Sequence, residues 1–283
     1  MKTIINSISL SIILVLTLAS CGGDESKSII KPTNYTIILD LSDRILSPEQ
    51  FDKDIALIET TFKSFEKQAR KNLVISSKDR FNIKIIPQKN SPLNVNHYED
   101  LLQLYLDEKE VSIKNNSLVT MANSLHKNLE NLKKDAFYGK ENKDYFGVDI
   151  WAYLHDNGQE LSKKNYVNKV VIITDGYFDF ESQEHVIHEK NRYTSTNFLN
   201  KLKSNDWKQK AVVNEFGLLP IQLDKDSHWI VAGICGKKAT DILQTEKITY
   251  FWEKWLKESG VTKINLILNG SKTSMCSNLI DII

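Results

Sequence analysis

Length and charge limit the kind of protein that this sequence can encode. The chain has 283 residues, and 41% of them are hydrophobic, which is enough to bury the core of one sizeable domain. Its 37 Lys and Arg residues nearly cancel its 36 Asp and Glu residues, so the formal net charge is +1 at pH 7. No Lys- and Arg-rich stripe stands out in the sequence, and we therefore expect no nucleic-acid partner.

The first twenty residues have the pattern of an export signal. Lys2 supplies a positive start, and residues 8–18 form an apolar run that is too short to span a bilayer. Leu-Ala-Ser-Cys at residues 18–21 resembles the lipobox of bacterial lipoproteins, which implies cleavage before Cys21 and attachment of diacylglycerol to its sulfur. An ordinary signal peptide followed by a chance cysteine is the alternative.

This pattern predicts a lipoprotein signal peptide over residues 1–20 and a polar, lipidated tether over residues 21–34. We expect a lipid-anchored protein of the cell envelope, in the outer membrane, and the sequence leaves open whether it faces the periplasm or the outside. No later run reaches ~18 apolar residues, so we predict no other membrane segment.

Beyond the tether, apolar runs alternate with amphipathic segments. Residues 35–39 predict a buried strand, and Ser47 and Pro48 predict the start of a helix over residues 48–70. Further strands are predicted over 80–86, 169–173, 228–234 and 263–268, and further helices over 98–105, 118–132, 150–161, 198–207 and 248–256, the last ending at Gly260. This alternation predicts a three-layer α/β/α domain over residues 35–283, with a mainly parallel central sheet, helices on both faces and an insertion around residues 88–146.

Polar side chains follow two of the predicted strands where each strand ends. Residues 40–44 read Asp-Leu-Ser-Asp-Arg, and residues 174–176 read Thr-Asp-Gly. A third segment, residues 147–154, begins Gly-Val-Asp and continues as a helix. Ligand sites in open α/β sheets lie at the carboxyl ends of the strands, so we expect a site there.

These three segments resemble, in the same order, the motifs of von Willebrand factor type A (vWA) domains. Residues 40–44 are similar to the family's Asp-x-Ser-x-Ser motif, residues 147–154 to its Gly-Thr-Asp-Ile-x-x-Ala-Leu segment and residues 174–176 to its Thr-Asp-Gly. The resemblance implies a vWA- or Rossmann-like fold in which the segments converge on a metal-ion-dependent adhesion site. Arg44 stands where the family has its second serine, and Val148 stands where it has threonine.

The resemblance implies that Asp40, Ser42, Asp149 and Asp175 hold a divalent cation. Mg²⁺ prefers carboxylate, hydroxyl and water oxygens, and an open position on it would accept a carboxylate from a partner. Arg44 offers another solution, because its guanidinium is always charged and could lie between Asp40 and Asp175 in place of the metal. Three alternatives stay open: a working site for Mg²⁺ or another divalent cation, an arginine-filled site without metal, and solvated turn residues with no role.

The remaining cysteines and a histidine pair allow two further hypotheses. Cys235 and Cys276 each follow a predicted strand, and if those strands are neighbours, as the vWA resemblance implies, an exported protein could bridge them; two separate buried thiols are the alternative. His185 and His188 lie in residues 177–196, a long segment without a clear period. Their spacing matches no strong metal motif, so we interpret this segment as a solvated loop.

The sequence favours a binding protein over an enzyme. It contains no Gly-x-Ser-x-Gly elbow and no Gly-x-x-x-x-Gly-Lys phosphate loop. We expect an exported, lipid-anchored vWA-like adhesion module that engages a protein partner at the carboxyl end of its sheet and at residues 177–196. A metal-dependent hydrolase that uses the same aspartates is the second hypothesis, and a structural lipoprotein with a degenerate site is the third.

Overall fold

The computed structural model describes residues 31–71, 73–178, 187–238 and 241–283. Lys31–Ile283 form one compact unit. The predicted signal peptide, Cys21 and most of the predicted tether lie outside the described residues. Within the described ranges, no helix combines the length and the apolar character that crossing a membrane requires.

A six-stranded sheet forms the centre of the fold, and three short strands form a second sheet. In chain order the strands are β1 (Thr33–Asp40), β2 (Arg80–Ile86), β3 (Leu104–Tyr105), β4 (Val167–Ile173), β5 (His188–Glu189), β6 (Arg192–Tyr193), β7 (Gly217–Leu218), β8 (His228–Ile234) and β9 (Lys263–Leu268). The central order is β3-β2-β1-β4-β8-β9, and every neighbouring pair in it is parallel except β2 and β3. The predicted mixed α/β class with a mostly parallel sheet is therefore confirmed.

Helices connect most of the strands. They are α1 (Gln50–Lys71), α2 (Val95–Leu101), α3 (Lys114–Ala136), α4 (Ile150–Asn157), α5 (Trp207–Val213), α6 (Ile242–Glu258) and α7 (Lys272–Ile282). A short 3-10 helix, Asp43–Leu46, lies between β1 and α1, and another, Thr196–Lys201, precedes α5.

Strand β1 is buried along its whole length, as expected of an inner strand of a parallel sheet. Successive side chains of a strand point to opposite faces, and β1 accordingly contributes to two hydrophobic clusters. Ile37 and Leu39 belong to a cluster built with α1, α3 and α7. Ile38 belongs to a second cluster, built with α4 and α6.

Several helix boundaries differ from those that the sequence predicts. The first helix begins at Gln50 rather than at Pro48, because residues 48 and 49 form a turn after the 3-10 helix and Glu49 has a positive φ of 59°. The segment predicted as a helix over 98–105 divides into α2 and β3, since Leu104 pairs with Phe81 of β2. In the segment 198–207, residues 198–201 end the 3-10 helix and Trp207 begins α5, while residues 202–206 between them are not helical. The helix predicted over 150–161 ends at Asn157.

The order of the strands places the ends of β1 and β4 side by side. On one side of this pair lie β2 and β3, and on the other lie β8 and β9. Ligands of open α/β sheets bind outside the carboxyl ends of the strands where the order reverses in this way. Gly233 of β8 allows a close approach at this point, because a Cβ atom there would lie 2.8 Å from the Thr174 carbonyl oxygen.

Candidate functional site

Asp40, the last residue of β1, joins the tips of two neighbouring strands. Its side chain is almost fully buried. Oδ1 accepts a hydrogen bond from the backbone N–H of Ser42 at 2.8 Å, and Oδ2 accepts one from the Thr174 hydroxyl at 2.7 Å. The Thr174 oxygen in turn accepts a hydrogen bond from the N–H of Gly176 at 3.0 Å. Residues 40–44 and 174–176, the first and last of the three motifs in chain order, therefore meet directly through the hydrogen bond between Thr174 and Asp40.

Arg44 points into the protein and is only 6% exposed. Its Nη2 and Nη1 donate hydrogen bonds to the two carboxylate oxygens of Asp54 in α1, at 2.8 and 3.3 Å. Its Nε donates to the Asp40 carbonyl oxygen at 3.1 Å and lies 3.5 Å from Asp40 Oδ2. A further bond of 3.2 Å runs from Nη2 to the carbonyl oxygen of Ile173. One guanidinium thus connects β1, α1 and β4.

Asp54 is the partner of Arg44 that the sequence analysis did not single out. It has no exposed surface, and its Oδ1 also accepts a hydrogen bond of 2.9 Å from Gln50 Nε2. The sequence does contain a sign that Asp54 is buried: it lies between Phe51 and Ile55 on the apolar face of α1, where the helical period places core residues. A carboxylate on such a face needs a buried partner.

One buried cation, Arg44, faces the two buried carboxylates of Asp54 and Asp40. Burial raises the pKa of Asp54, while its contacts with Arg44 and Gln50 act in the opposite direction. Burial also disfavours the charge on Arg44, but Asp54 first, and then Asp40, outweigh this effect and leave the pKa of Arg44 above its usual value. The arginine therefore stays charged and acts as the cation of this site.

Asp175 lies beside this centre and keeps part of its surface exposed. The backbone N–H of Tyr177 donates to its Oδ1 at 3.1 Å. Burial, followed by the nearby Asp40 carboxylate, raises the pKa of Asp175 to about 7, although Arg44 opposes the shift. A substantial fraction of Asp175 is therefore protonated at neutral pH.

The middle segment, residues 147–154, is connected to the site by the backbone of the residue that precedes it. Asp149 accepts a hydrogen bond of 2.9 Å from the N–H of Ala152 and so caps the start of α4, as the sequence predicts for a helix opening. The carbonyl oxygen of Phe146, three residues earlier, accepts a hydrogen bond of 2.9 Å from the N–H of Asp43. Val148 packs into the second hydrophobic cluster.

These contacts do not fit a divalent cation at Asp40. Both of its carboxylate oxygens already accept hydrogen bonds, and the Arg44 guanidinium brings a positive charge to the same carboxylate. Mg²⁺ requires near-octahedral oxygen coordination, and in the described part of the chain no group of three or more His, Cys, Asp or Glu side chains could hold a metal ion. The geometry favours the arginine-filled alternative, with Asp54 rather than Asp175 as the main partner of Arg44. Binding of a divalent metal ion stays a prediction, which metal titration can test.

The two cysteines of the described unit are free thiols, so the disulfide alternative is not formed. Strands β8 and β9 are neighbours, as the resemblance implies. Cys276, however, lies within α7 rather than at the end of β9, whereas Cys235 directly follows β8. Burial raises the pKa of the Cys235 thiol, which lowers its reactivity.

The histidine pair is described only in part. His185 lies outside the described residues. His188 lies in β5 and stacks on Tyr193 with a centroid separation of 5.7 Å. The exposed His188 ring thus covers the buried Tyr193 ring at the edge of the second hydrophobic cluster.

Comparisons with known proteins give no family for the chain. No model of a known protein family matches it, and no curated protein matches it. Among solved structures it is similar to proximal thread matrix protein 1 from the mussel byssus, with 10% identity, 89% of this chain and 47% of that chain covered, and a TM-score of 0.38. It is also similar to the pilus adhesin SpaC of Lactobacillus rhamnosus GG, with 10% identity, 90% of this chain and 30% of that chain covered, and a TM-score of 0.45. The chain thus spans less than half the length of either protein.

Proposed function

We propose that the chain is an exported, lipid-anchored binding module of the vWA-like kind, which engages a protein partner at the carboxyl end of its sheet. The observation that carries this proposal is the position of Arg44. Its guanidinium lies between the ends of β1 and β4, where the resemblance implies a metal ion, and it contacts the same Asp40. The proposed module therefore binds without a cation.

The finer fold assignment is part of the same proposal. We propose a three-layer α/β/α arrangement of the vWA or Rossmann kind. Two hydrophobic clusters share the residues of β1, one built with α1, α3 and α7 and the other with α4 and α6. The central strand order also has the reversal between β1 and β4 that is typical of doubly wound sheets.

Arg44 determines how such a site would work. At 6% exposure it offers little surface to a partner, so its proposed role is to hold the connection after β1 in place. The groups that a partner would meet are the exposed Asp43 and the partly exposed Asp175. A connection fixed in advance loses less conformational freedom on binding, which favours affinity.

The proposed location is the cell envelope, with the acyl chains on Cys21 in the outer membrane. Its support is the lipobox-like Leu-Ala-Ser-Cys at residues 18–21. Replacing Cys21 by serine should move the protein from the membrane fraction to the soluble fraction and remove the acyl mass from its first mature residue. A Cys21→Ser protein that stays in the membrane fraction would contradict the anchor.

Partner capture tests the binding proposal. Because Lys31–Ile283 form one compact unit, this segment can be immobilised and exposed to proteins of the cell envelope in the presence of EDTA. We expect a captured protein that is lost with Asp175→Ala and retained with Asp226→Ala, a matched change at an exposed residue that precedes β8. Capture that requires Mg²⁺ would contradict the cation-free mechanism, and capture unchanged by Asp175→Ala would place the interface elsewhere.

A further inference from the structure

A groove of about 740 Å³ runs between α1 and α7, two helices that contribute to the same hydrophobic cluster. Its lining includes Tyr35 at the start of β1, together with Cys276, Ile280 and Ile283 of the C-terminal segment. None of the residues of the candidate binding site lines it. The groove is therefore a separate feature, and the proposed partner site does not account for it.

The charge of this groove is strongly positive. Five lysines line it, and four of them are exposed: Lys63, Lys67, Lys71 and Lys272, with Lys169 half-buried. The carboxylate that also lines it, Glu59, lies 2.8 Å from the ring of His126. Within the described ranges, none of the five lysines forms an ion pair with a carboxylate, in contrast to lysines elsewhere such as Lys84 and Lys133.

The spacing of the lysines concentrates this charge. Lys63, Lys67 and Lys71 are separated by four residues each and so share one face of α1 over successive turns. Like charges at this spacing destabilise a helix slightly, whereas Lys71, in the last turn of α1, also interacts favourably with the helix dipole. The pKa of Lys169 is lowered by burial and then by the nearby Lys263, which adds a further positive charge at this end of the sheet.

We propose that this groove binds the phosphate head groups of anionic phospholipids at a membrane surface. Because the lysines are spread along the groove, they are better suited to contact the many phosphates of a membrane surface than to bind one small anion. Ile280, which is 61% exposed, and the partly exposed Ile283 give the same groove an apolar edge that can enter the lipid interface. Basic side chains next to apolar ones are the combination that favours binding to anionic membranes.

The position of the groove agrees with this ligand. Tyr35 and Lys169 line the groove near the starts of β1 and β4, at the end of the sheet where the chain enters the compact unit. If Cys21 carries the proposed acyl chains, the groove lies within reach of the bilayer, because the twelve residues 21–32 can span at most ~40 Å even when fully extended. Head-group binding itself does not depend on that anchor, since the groove belongs entirely to Lys31–Ile283.

Vesicle co-sedimentation of the unlipidated segment 31–283 tests the proposal. We expect it to bind phosphatidylcholine vesicles that contain phosphatidylglycerol, to lose this binding as salt is added, and to ignore pure phosphatidylcholine. The triple variant Lys63→Gln, Lys67→Gln, Lys71→Gln should reduce the partition coefficient on the order of 100-fold, since each lysine near an anionic surface contributes a factor of about five. A matched triple, Lys140→Gln, Lys203→Gln, Lys208→Gln, removes the same charge at exposed residues outside the groove and should leave most of the binding intact.

Each other outcome overturns the proposal. Equal loss in the two triples would mean that net charge rather than the groove attracts the vesicles. Binding to both kinds of vesicle, or to neither, would exclude recognition of anionic head groups, and calorimetric binding of inorganic phosphate without vesicle binding would identify a small-anion site instead. Asp175→Ala should not change vesicle binding, so a failure of this proposal and a failure of the proposed partner site are distinguishable. Unfolding curves of both triples check that they remain folded.

Discussion

Arg44 and Asp54 form a buried ion pair with two hydrogen bonds, at 2.8 and 3.3 Å, between the connection after β1 and the first helix. Gln50 and two backbone carbonyl groups satisfy further hydrogen-bonding positions of the pair. A buried ion pair with such geometry contributes little net stability compared with apolar residues, but the loss of one partner leaves an uncompensated charge. The pair therefore fixes the position of the connection that carries the candidate site.

We expect Arg44→Ala to reduce the free energy of unfolding by about 3–5 kcal/mol, because Asp54 and Asp40 would then be buried without their cation. Denaturant unfolding of residues 31–283 measures this change. Arg70→Ala is the matched control, since the Arg70–Glu66 pair is exposed on the same helix and should contribute less than ~1 kcal/mol. A loss at Arg44 no larger than that at Arg70 would contradict the account of the buried pair.

A double-mutant cycle between Arg44→Met and Asp54→Leu should give a coupling free energy of ~0.5–3 kcal/mol, as is typical of residues in direct contact. The physical reason is that the second substitution removes the charge that the first one leaves unpaired. The measurement is unfolding of the two single variants and the double variant under the same conditions. Additive single effects would mean that the two side chains do not interact in solution.

Asp175 should make stability depend on pH. Its pKa in the folded protein is about 7, above its usual value of 3.8, so between about pH 4 and 7 the folded state keeps a proton that the unfolded chain has lost. The free energy of unfolding therefore falls as pH rises through this window and levels off above about pH 7. Because Asp175 is partly exposed, we expect a slope below the ~1.4 kcal/mol per pH unit of a fully shifted group.

The comparison that isolates Asp175 is between Asp175→Asn and the parent protein. Asp175→Asn should remove this part of the slope, so the stability difference between the two proteins should change between pH 5 and 7.5. Asp226→Asn, at an exposed residue, should follow the parent protein throughout. The account of Asp175 fails if its variant retains the full pH dependence of the parent.

The helices and strands could be predicted because the sequence of each one contains a local pattern that is typical of that element. The apolar runs of β2, β8 and β9 are bounded by polar or turn residues, and the structure has these strands at the predicted residues. Gly260 ends α6 with a positive φ of 96°, which is the conformation that the predicted glycine cap requires. Short-range chemistry decides all of these features.

The partners of charged side chains could not be predicted in the same way. The arginine-filled alternative has Arg44 between Asp40 and Asp175, but the main partner of Arg44 in the structure is Asp54, and this contact depends on how α1 packs against β1. The lysines of the groove come from α1, β4 and α7, segments that are far apart in sequence. Only the tertiary fold brings such residues together, and no local pattern contains that information.

The most direct test of the central claim is thermal unfolding of residues 31–283 in EDTA and then in millimolar Mg²⁺, Mn²⁺ or Ca²⁺. A ligand at 100 times its dissociation constant adds about 2.7 kcal/mol to the free energy of unfolding, which is a readily visible shift of the midpoint. Since Arg44 already supplies the cation at Asp40, we predict no metal-dependent shift for the parent protein and strong destabilisation for Arg44→Ala. A shift in the parent protein that disappears in Asp40→Ala would contradict the account and establish a working divalent-cation site.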